Sequence, residues 1–92
     1  MTIYAVQRNL QGISMEQLAA AQQAAISASE DFSRQGKPVS YIRSNFYPAS
    51  SHCTCLFEAQ DSDSVAQVNR AASLPFERIE EVLDLVPRHT AH

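Results

Sequence analysis

The chain has no tryptophan, and its 92 residues include only two cysteines, two glycines and seven lysines or arginines. Two cysteines are too few for a zinc-finger framework, and Cys53 and Cys55, at i and i+2 of one strand, are poorly placed for a disulfide. The basic residues form no stripe, which argues against nucleic-acid binding. No apolar run approaches the roughly 18 residues of a membrane span, and the start of the chain lacks the pattern of a signal peptide. We therefore expect a cytoplasmic protein with neither nucleic-acid nor membrane partners.

Two helices are predicted from capping residues and apolar spacing. Ser14 and Gln17 form a capping-box pattern that begins the first helix, and Gly36 ends it. Asp61 or Ser62 begins the second helix. Four runs rich in β-forming residues predict strands at residues 2–8, 39–46, 51–58 and 78–86.

The resulting order, β-α-β-β-α-β, is the ferredoxin-like plan, an α+β fold. Because right-handed crossovers place both helices on one face of a four-stranded antiparallel sheet, the other face is expected to be bare in a monomer. A bare face of roughly several hundred Å² usually has a partner. We therefore predict a homodimer of the dimeric α/β-barrel type, paired through its sheet faces. The single domain is expected over residues 1–88, with a flexible tail over residues 89–92.

Alternation along the strands assigns side chains to the two faces of the sheet. On the third strand, the more apolar set is expected toward the helices: Cys53, Cys55 and Phe57. The alternate set faces the other side, the open face: His52, Thr54, Leu56 and Glu58. The first strand is ambiguous, and its bulkier, partly polar set is placed on the open face: Tyr4, Val6 and Arg8. On the fourth strand, the positions that suit the helix side are Leu83 and Leu85.

The open face is the candidate ligand-binding or catalytic site. Its expected ligand-binding residues are Tyr4, Arg8, Tyr41, Arg43, His52 and Glu58, with Asp84 beside them. A histidine can act as a general base that a carboxylate orients. His52 and Glu58 lie about 20 Å apart on one strand and cannot meet within one chain. If Glu58 pairs across strands with Arg8 or Arg43, we expect a structural ion pair and not a catalytic one.

Metal binding is another candidate, through His52, His89 and His92 with help from the cysteines, because imidazole suits nickel, copper and zinc and thiolate suits softer metals. The competing interpretation is a solvated tail, an edge histidine and two core thiols. Reactive-thiol chemistry is disfavoured at Cys53 and Cys55, because no lysine or arginine flanks them and no helix N-terminus is adjacent.

Several stretches resemble a family of small domains of unknown function, one branch of which binds nickel. The most informative are Cys55-Leu56-Phe57-Glu58-Ala59 and Leu74-Pro75-Phe76 with Arg78-Ile79. The similarity also covers Tyr4, Arg8, Gly36, Val65 and Asn69-Arg70-Ala71, and so spans most of the chain. It implies a ferredoxin-like dimer and makes nickel the candidate divalent metal.

These observations favour a small dimeric binding protein that takes a metal ion such as nickel, or a small molecule, on its open face. The alternative is a cofactor-independent enzyme of the dimeric α/β-barrel kind, a monooxygenase or an isomerase, by fold analogy. A pure interaction subunit is the third possibility.

Overall fold

The computed structural model describes residues 1–87, which form four strands and two helices in the predicted order. These elements are β1 (Thr2–Asn9), α1 (Met15–Arg34), β2 (Val39–Tyr47), β3 (His52–Ala59), α2 (Ser62–Ala71) and β4 (Arg78–Val82). The sheet has the order β2-β3-β1-β4, and every neighbouring pair is antiparallel. The predicted ferredoxin-like α+β fold is therefore confirmed. Within the described residues, neither helix is long and apolar enough to cross a membrane.

Local hydrogen bonds begin and end the helices where the sequence predicts. The Ser14 hydroxyl accepts the backbone N–H of Gln17 at 3.1 Å, and the Gln17 side chain accepts the backbone N–H of Ser14 at 2.9 Å. At α2, the Asp61 carboxylate accepts the backbone N–H of Ser64 at 2.8 Å, and this bonding lowers the pKa of the Asp61 carboxyl. Gly36 follows α1 with φ +87°, the left-handed conformation that commonly ends a helix.

The core lies between the sheet and the two helices. Its residues include Ala25 and Ala28 of α1, Val65 and Val68 of α2, and Cys53, Cys55 and Phe57 of β3. Alanine on the inner face of α1 allows the helix to lie close to the sheet, where the Phe57 side chain is fully buried. The predicted helix-side position of the two cysteines and Phe57 is confirmed.

The predicted faces of β1 are wrong. Tyr4 and Val6 belong to the core on the helix side, and Arg8 is buried there with only 3 % of its surface exposed. The open face instead receives the alternate residues, and Gln7 contacts Thr54 of β3 there. The polarity of Arg8 does not place it on the open face, because uncharged acceptors beside the helices accept the hydrogen bonds of its buried guanidinium.

Tyr41 also faces the helices, and its predicted place on the open face is wrong. It stands opposite Phe57 in the β2–β3 register, and the two rings meet edge to face with centroids 5.5 Å apart. Residues paired across neighbouring strands share a face of the sheet. An irregularity between Tyr41 and Arg43 then shifts the register by one residue, so that Ser44 faces inward and Arg43 outward.

β4 is shorter than predicted: it ends at Val82, whereas the sequence predicts a strand that continues to residue 86. Val82 already pairs with Ile3 near the start of β1, so little partner strand remains for a longer ladder. Leu83 and Leu85 do not pack toward the helices as predicted; they are 83 % and 88 % exposed.

The chain beyond β4 turns back over the open face. Arg43 of β2, at one edge of the sheet, forms an ion pair of 2.7 Å with Asp84, which follows β4 at the other edge. These strands are about 14 Å apart, so the pair requires the chain after Val82 to bend across the sheet. Ala5 and Leu56, at the centre of this face, are only 2 % and 8 % exposed. The expectation that the face is bare in a monomer is therefore wrong at its centre.

Candidate functional site

Polar side chains of the open face gather around His52, the first residue of β3. Gln7 stands opposite Thr54 in the β1–β3 register, and its Oε1 atom accepts the Thr54 hydroxyl at 2.8 Å. The same Oε1 lies 2.7 Å from His52 Nε2, and the Tyr47 ring lies 5.5 Å from the imidazole, centroid to centroid. We refer to Gln7, Tyr47, His52 and Thr54 as the His52 cluster.

The hydrogen bonds of the His52 cluster assign the histidine tautomer. The amide nitrogen of Gln7 donates to Glu80 Oε1 at 3.4 Å, which fixes the orientation of the amide and leaves Oε1 toward His52. Because a carbonyl oxygen only accepts, His52 Nε2 must carry the ring proton. Among residues 1–87, the hydrogen bonds of the ring all involve Nε2. The lone pair of Nδ1 is therefore the one available to a ligand.

The other predicted open-face residues are dispersed. Arg43 pairs with Asp84, so the expected ion pair between an arginine and Glu58 is wrong for the described residues. Arg8 cannot form it either, because its guanidinium lies on the helix side. Glu58 lies at the far end of β3 from His52. Ligand binding by Arg43, His52 and Glu58 stays a prediction, and Tyr4, Arg8 and Tyr41 can contribute only from the helix side.

A second cluster, on the helix side, was missed by the sequence reasoning. Arg8 donates to Asn69 Oδ1 at 2.8 Å and to the Pro75 carbonyl oxygen at 3.0 Å. It stands opposite Cys53 in the β1–β3 register and interacts with Cys55. The arginine that flanks these thiols thus comes from a neighbouring strand, which the spacing of residues along the chain does not reveal.

The thiols of this cluster have opposite pKa shifts. The Cys53 thiol, which lies 3.8 Å from Cys55 Sγ, donates to it, and this bond together with the Arg8 charge and the Ser44 hydroxyl lowers the pKa of Cys55 to about 5. The same bond and burial raise the pKa of Cys53. The expectation that nothing depresses a thiol pKa in this chain is therefore wrong.

Comparison with known proteins gives a family. Residues 4–82 match the family model described as nickel responsive protein SCO4226-like. The chain belongs to the SCO4226-like family. The crystal structure of SCO4226 from Streptomyces coelicolor A3(2) resembles it with a TM-score of 0.77 and 25 % sequence identity, covering 91 % of this chain and 99 % of that chain. No curated protein matches the chain. The resemblance to a small-domain family with a nickel branch is confirmed.

The family of this SCO4226-like domain is described as nickel responsive, but few of its described side chains lie close together as metal ligands must. Within residues 1–87, no group of three or more histidine, cysteine, aspartate or glutamate side chains could hold a metal ion. His52 provides one imidazole with a directed Nδ1, and the other predicted ligands, His89 and His92, lie outside the described residues. Among the described residues, His52 therefore offers a single imidazole nitrogen, and no complete set of metal ligands is assembled around it.

Proposed function

We propose that this domain binds a nickel ion on its open face, with His52 Nδ1 as a ligand and Gln7 as the residue that orients the ring. The observation that carries the proposal is the 2.7 Å hydrogen bond between His52 Nε2 and Gln7 Oε1. Metal-ligating histidines almost always donate their second ring N–H to such an acceptor, which fixes the tautomer and raises the basicity of the ligand. Imidazole nitrogen suits Ni²⁺, and the family description supports this choice of metal.

The two C-terminal histidines are proposed to complete the site. The ion pair with Arg43 holds Asp84 over the open face, five residues before His89. A chain of five residues spans at most about 18 Å. Arg43 stands opposite Leu56, which is about 13 Å from His52 along β3. The length of the chain therefore allows the tail to reach His52.

Calorimetric titration with nickel chloride tests the site. The wild-type protein should bind nickel with micromolar affinity, and His52→Gln should abolish this binding. Gln7→Ala should weaken it by about 10–100-fold, because the ring loses the acceptor that orients it. Ser40→Ala is the matched control, since Ser40 lies at the far end of β2 and should leave the affinity unchanged. Wild-type affinity in His52→Gln would contradict the proposal.

We further propose that two copies of the domain pair through their open faces, as a dimeric α/β barrel. The segment that crosses the open face carries the exposed apolar side chains of Leu83, Leu85 and Val86, which are 83 %, 88 % and 63 % exposed. Large apolar side chains exposed so close together usually mark an interaction site. In a two-fold interface, the same surface of each copy contacts the other, so a second copy of this chain can cover the segment.

Light scattering tests the dimer. The wild-type chain should have twice its monomer mass of 10.2 kDa, and the double variant Leu83→Glu/Leu85→Glu should be a monomer. Met15→Glu is the control, because Met15 is also exposed, at 76 %, but lies on α1, away from the open face. A monomeric wild type, or a double variant that stays dimeric, would rule out this interface.

A cytoplasmic location is proposed from the cysteines. Cys53 and Cys55 are free thiols, which persist in a reducing compartment. Cell fractionation should recover the protein with cytoplasmic markers, and recovery in an extracytoplasmic fraction would contradict this location.

A further inference from the structure

A small cavity lies between α1 and the sheet, on the opposite side of the sheet from His52. Its volume is about 220 Å³, and its walls are mainly apolar, with Leu18 and Ala25 of α1 on one side. Arg8, Cys53 and Cys55 form part of the sheet wall. The wall of the cavity is therefore mainly apolar but also contains one guanidinium and two thiols.

The guanidinium of Arg8 lacks a carboxylate partner among the described residues. Its side chain is 3 % exposed, and its bonds to Asn69 Oδ1 and to the Pro75 carbonyl oxygen involve uncharged acceptors. None of the ion pairs in residues 1–87 includes it. These acceptors satisfy its hydrogen bonds but leave its charge without a counter-charge, so an anion beside Arg8 would be stabilised.

The Cys55 sulfur is arranged to be that anion. It accepts the Ser44 hydroxyl at 3.0 Å and the Cys53 thiol at 3.8 Å, and the positive charge of Arg8, on the neighbouring strand, also favours its ionised form. An uncharged thiol is a weak acceptor, whereas two donors and a nearby guanidinium charge stabilise a thiolate. The low pKa of Cys55 agrees with this arrangement. Of the remaining lining residues, only Tyr41 is titratable, and α1 contributes apolar and amide side chains alone.

We propose that Cys55 is a modification site that reacts with small organic hydroperoxides entering this cavity. The thiolate sulfur attacks the terminal oxygen of the hydroperoxide, the O–O bond breaks, and an S–O bond forms. Cysteine is oxidised by two electrons to the sulfenic acid, and the hydroperoxide is reduced to an alkoxide, which takes a proton from water to give the alcohol. Arg8 stabilises the thiolate and donates to the departing oxygen. The apolar walls favour an alkyl or aryl hydroperoxide over a charged oxidant.

The expected rate follows from the opposing effects of a low pKa. At pH 6, a thiol with a pKa of about 5 rather than 9.0 has about a thousandfold more thiolate. Its intrinsic nucleophilicity falls by about sixtyfold over the same range. The folded protein should therefore react roughly tenfold faster at pH 6 than the same thiol in an unfolded chain.

Mass spectrometry with cumene hydroperoxide as the probe tests the proposal, in the presence of a chelator that removes nickel. Cys53→Ser isolates Cys55 and keeps a hydroxyl donor in place of the thiol, whereas Cys55→Ser isolates Cys53. At pH 6, Cys53→Ser should gain one oxygen atom, trapped as a dimedone adduct, roughly tenfold faster when folded than in urea. Cys55→Ser should stay unmodified.

If a serine variant fails to fold, peptide mapping of the oxidised wild-type protein can still identify which cysteine is oxidised first. Oxidation should begin at Cys55. A rate in the folded protein equal to or below that in urea, or oxidation that begins at Cys53, would overturn the proposal. Because nickel is removed, neither result depends on the His52 site.

Discussion

Replacing Asn69 with alanine should strongly destabilise the fold. Asn69 is fully buried; its Oδ1 accepts a bond from Arg8 at 2.8 Å, and its Nδ2 donates to the Val65 carbonyl oxygen at 2.8 Å. A hydrogen bond to a charged group contributes about 1.5–3 kcal/mol, and its loss leaves a buried guanidinium donor without its acceptor. The small cavity left by the amide adds to this loss. We expect a decrease of about 2–4 kcal/mol in the free energy of unfolding, a large part of the stability of a small domain.

Urea denaturation measures this loss. Gln67→Ala is the matched control on α2: the Gln67 amide bonds with Asp63 and Lys37 at the surface, so its loss should change the stability by less than about 0.5 kcal/mol. Asn69→Asp keeps an acceptor for Arg8 and should recover more than half of the stability that alanine removes. A loss below about 1 kcal/mol for Asn69→Ala would show that the bond to Arg8 does not hold the helix layer on the sheet.

Three further predictions concern the thiol, the first helix and the segment over the open face. The pKa of Cys55 is lower in the folded chain, to about 5, so its stabilising contribution is complete above the unfolded pKa and declines as the pH falls toward 5. Urea midpoints from pH 9 to 5 should therefore fall more steeply for the wild type than for Cys55→Ser, and parallel curves would contradict this. Ser14→Ala should cost about 1 kcal/mol by thermal melting, through loss of the N-cap, and an unchanged melting temperature would deny that role. Asp84→Asn should change stability by less than about 1 kcal/mol, because the pair with Arg43 is partly exposed, but it should speed amide exchange in residues 83–86; unchanged exchange would contradict the crossing of the open face.

The helices and the order of elements could be predicted because their signals are local. Ser14 and Gln17 are three residues apart, and the bonds that they form lie within one turn of α1. The alternation on β3 was also informative, since Cys53, Cys55 and Phe57 share one face, whereas the alternate set contains the polar residues His52, Thr54 and Glu58 beside the apolar Leu56. These patterns are sufficient to predict the ferredoxin-like plan.

The faces of β1 and the end of β4 could not be predicted, because they depend on distant partners. Arg8 is buried only because Asn69 and the Pro75 carbonyl, more than 60 residues further along the chain, accept its hydrogen bonds. β4 ends at Val82 because its partner β1 begins there, and a pairing register cannot be read from one strand alone.

The candidate site was predicted in part. His52 was identified as the one histidine on a strand, but the residue that fixes its tautomer, Gln7, became evident only from the β1–β3 register. The interaction of Arg8 with Cys55 was missed for the same reason: the arginine belongs to the neighbouring strand and carries no spacing signal relative to the cysteines. Gln7 and Arg8 have many possible partners when only the sequence of β1 is considered, and the register of the sheet decides among them.

The most direct test of nickel binding at His52 is a crystal structure of the nickel-loaded protein with anomalous scattering at the nickel edge. The account predicts an anomalous peak about 2 Å from His52 Nδ1, with Nε2 still bonded to Gln7 Oε1. A peak on Nε2 with Gln7 displaced, or a peak remote from the open face, would contradict it.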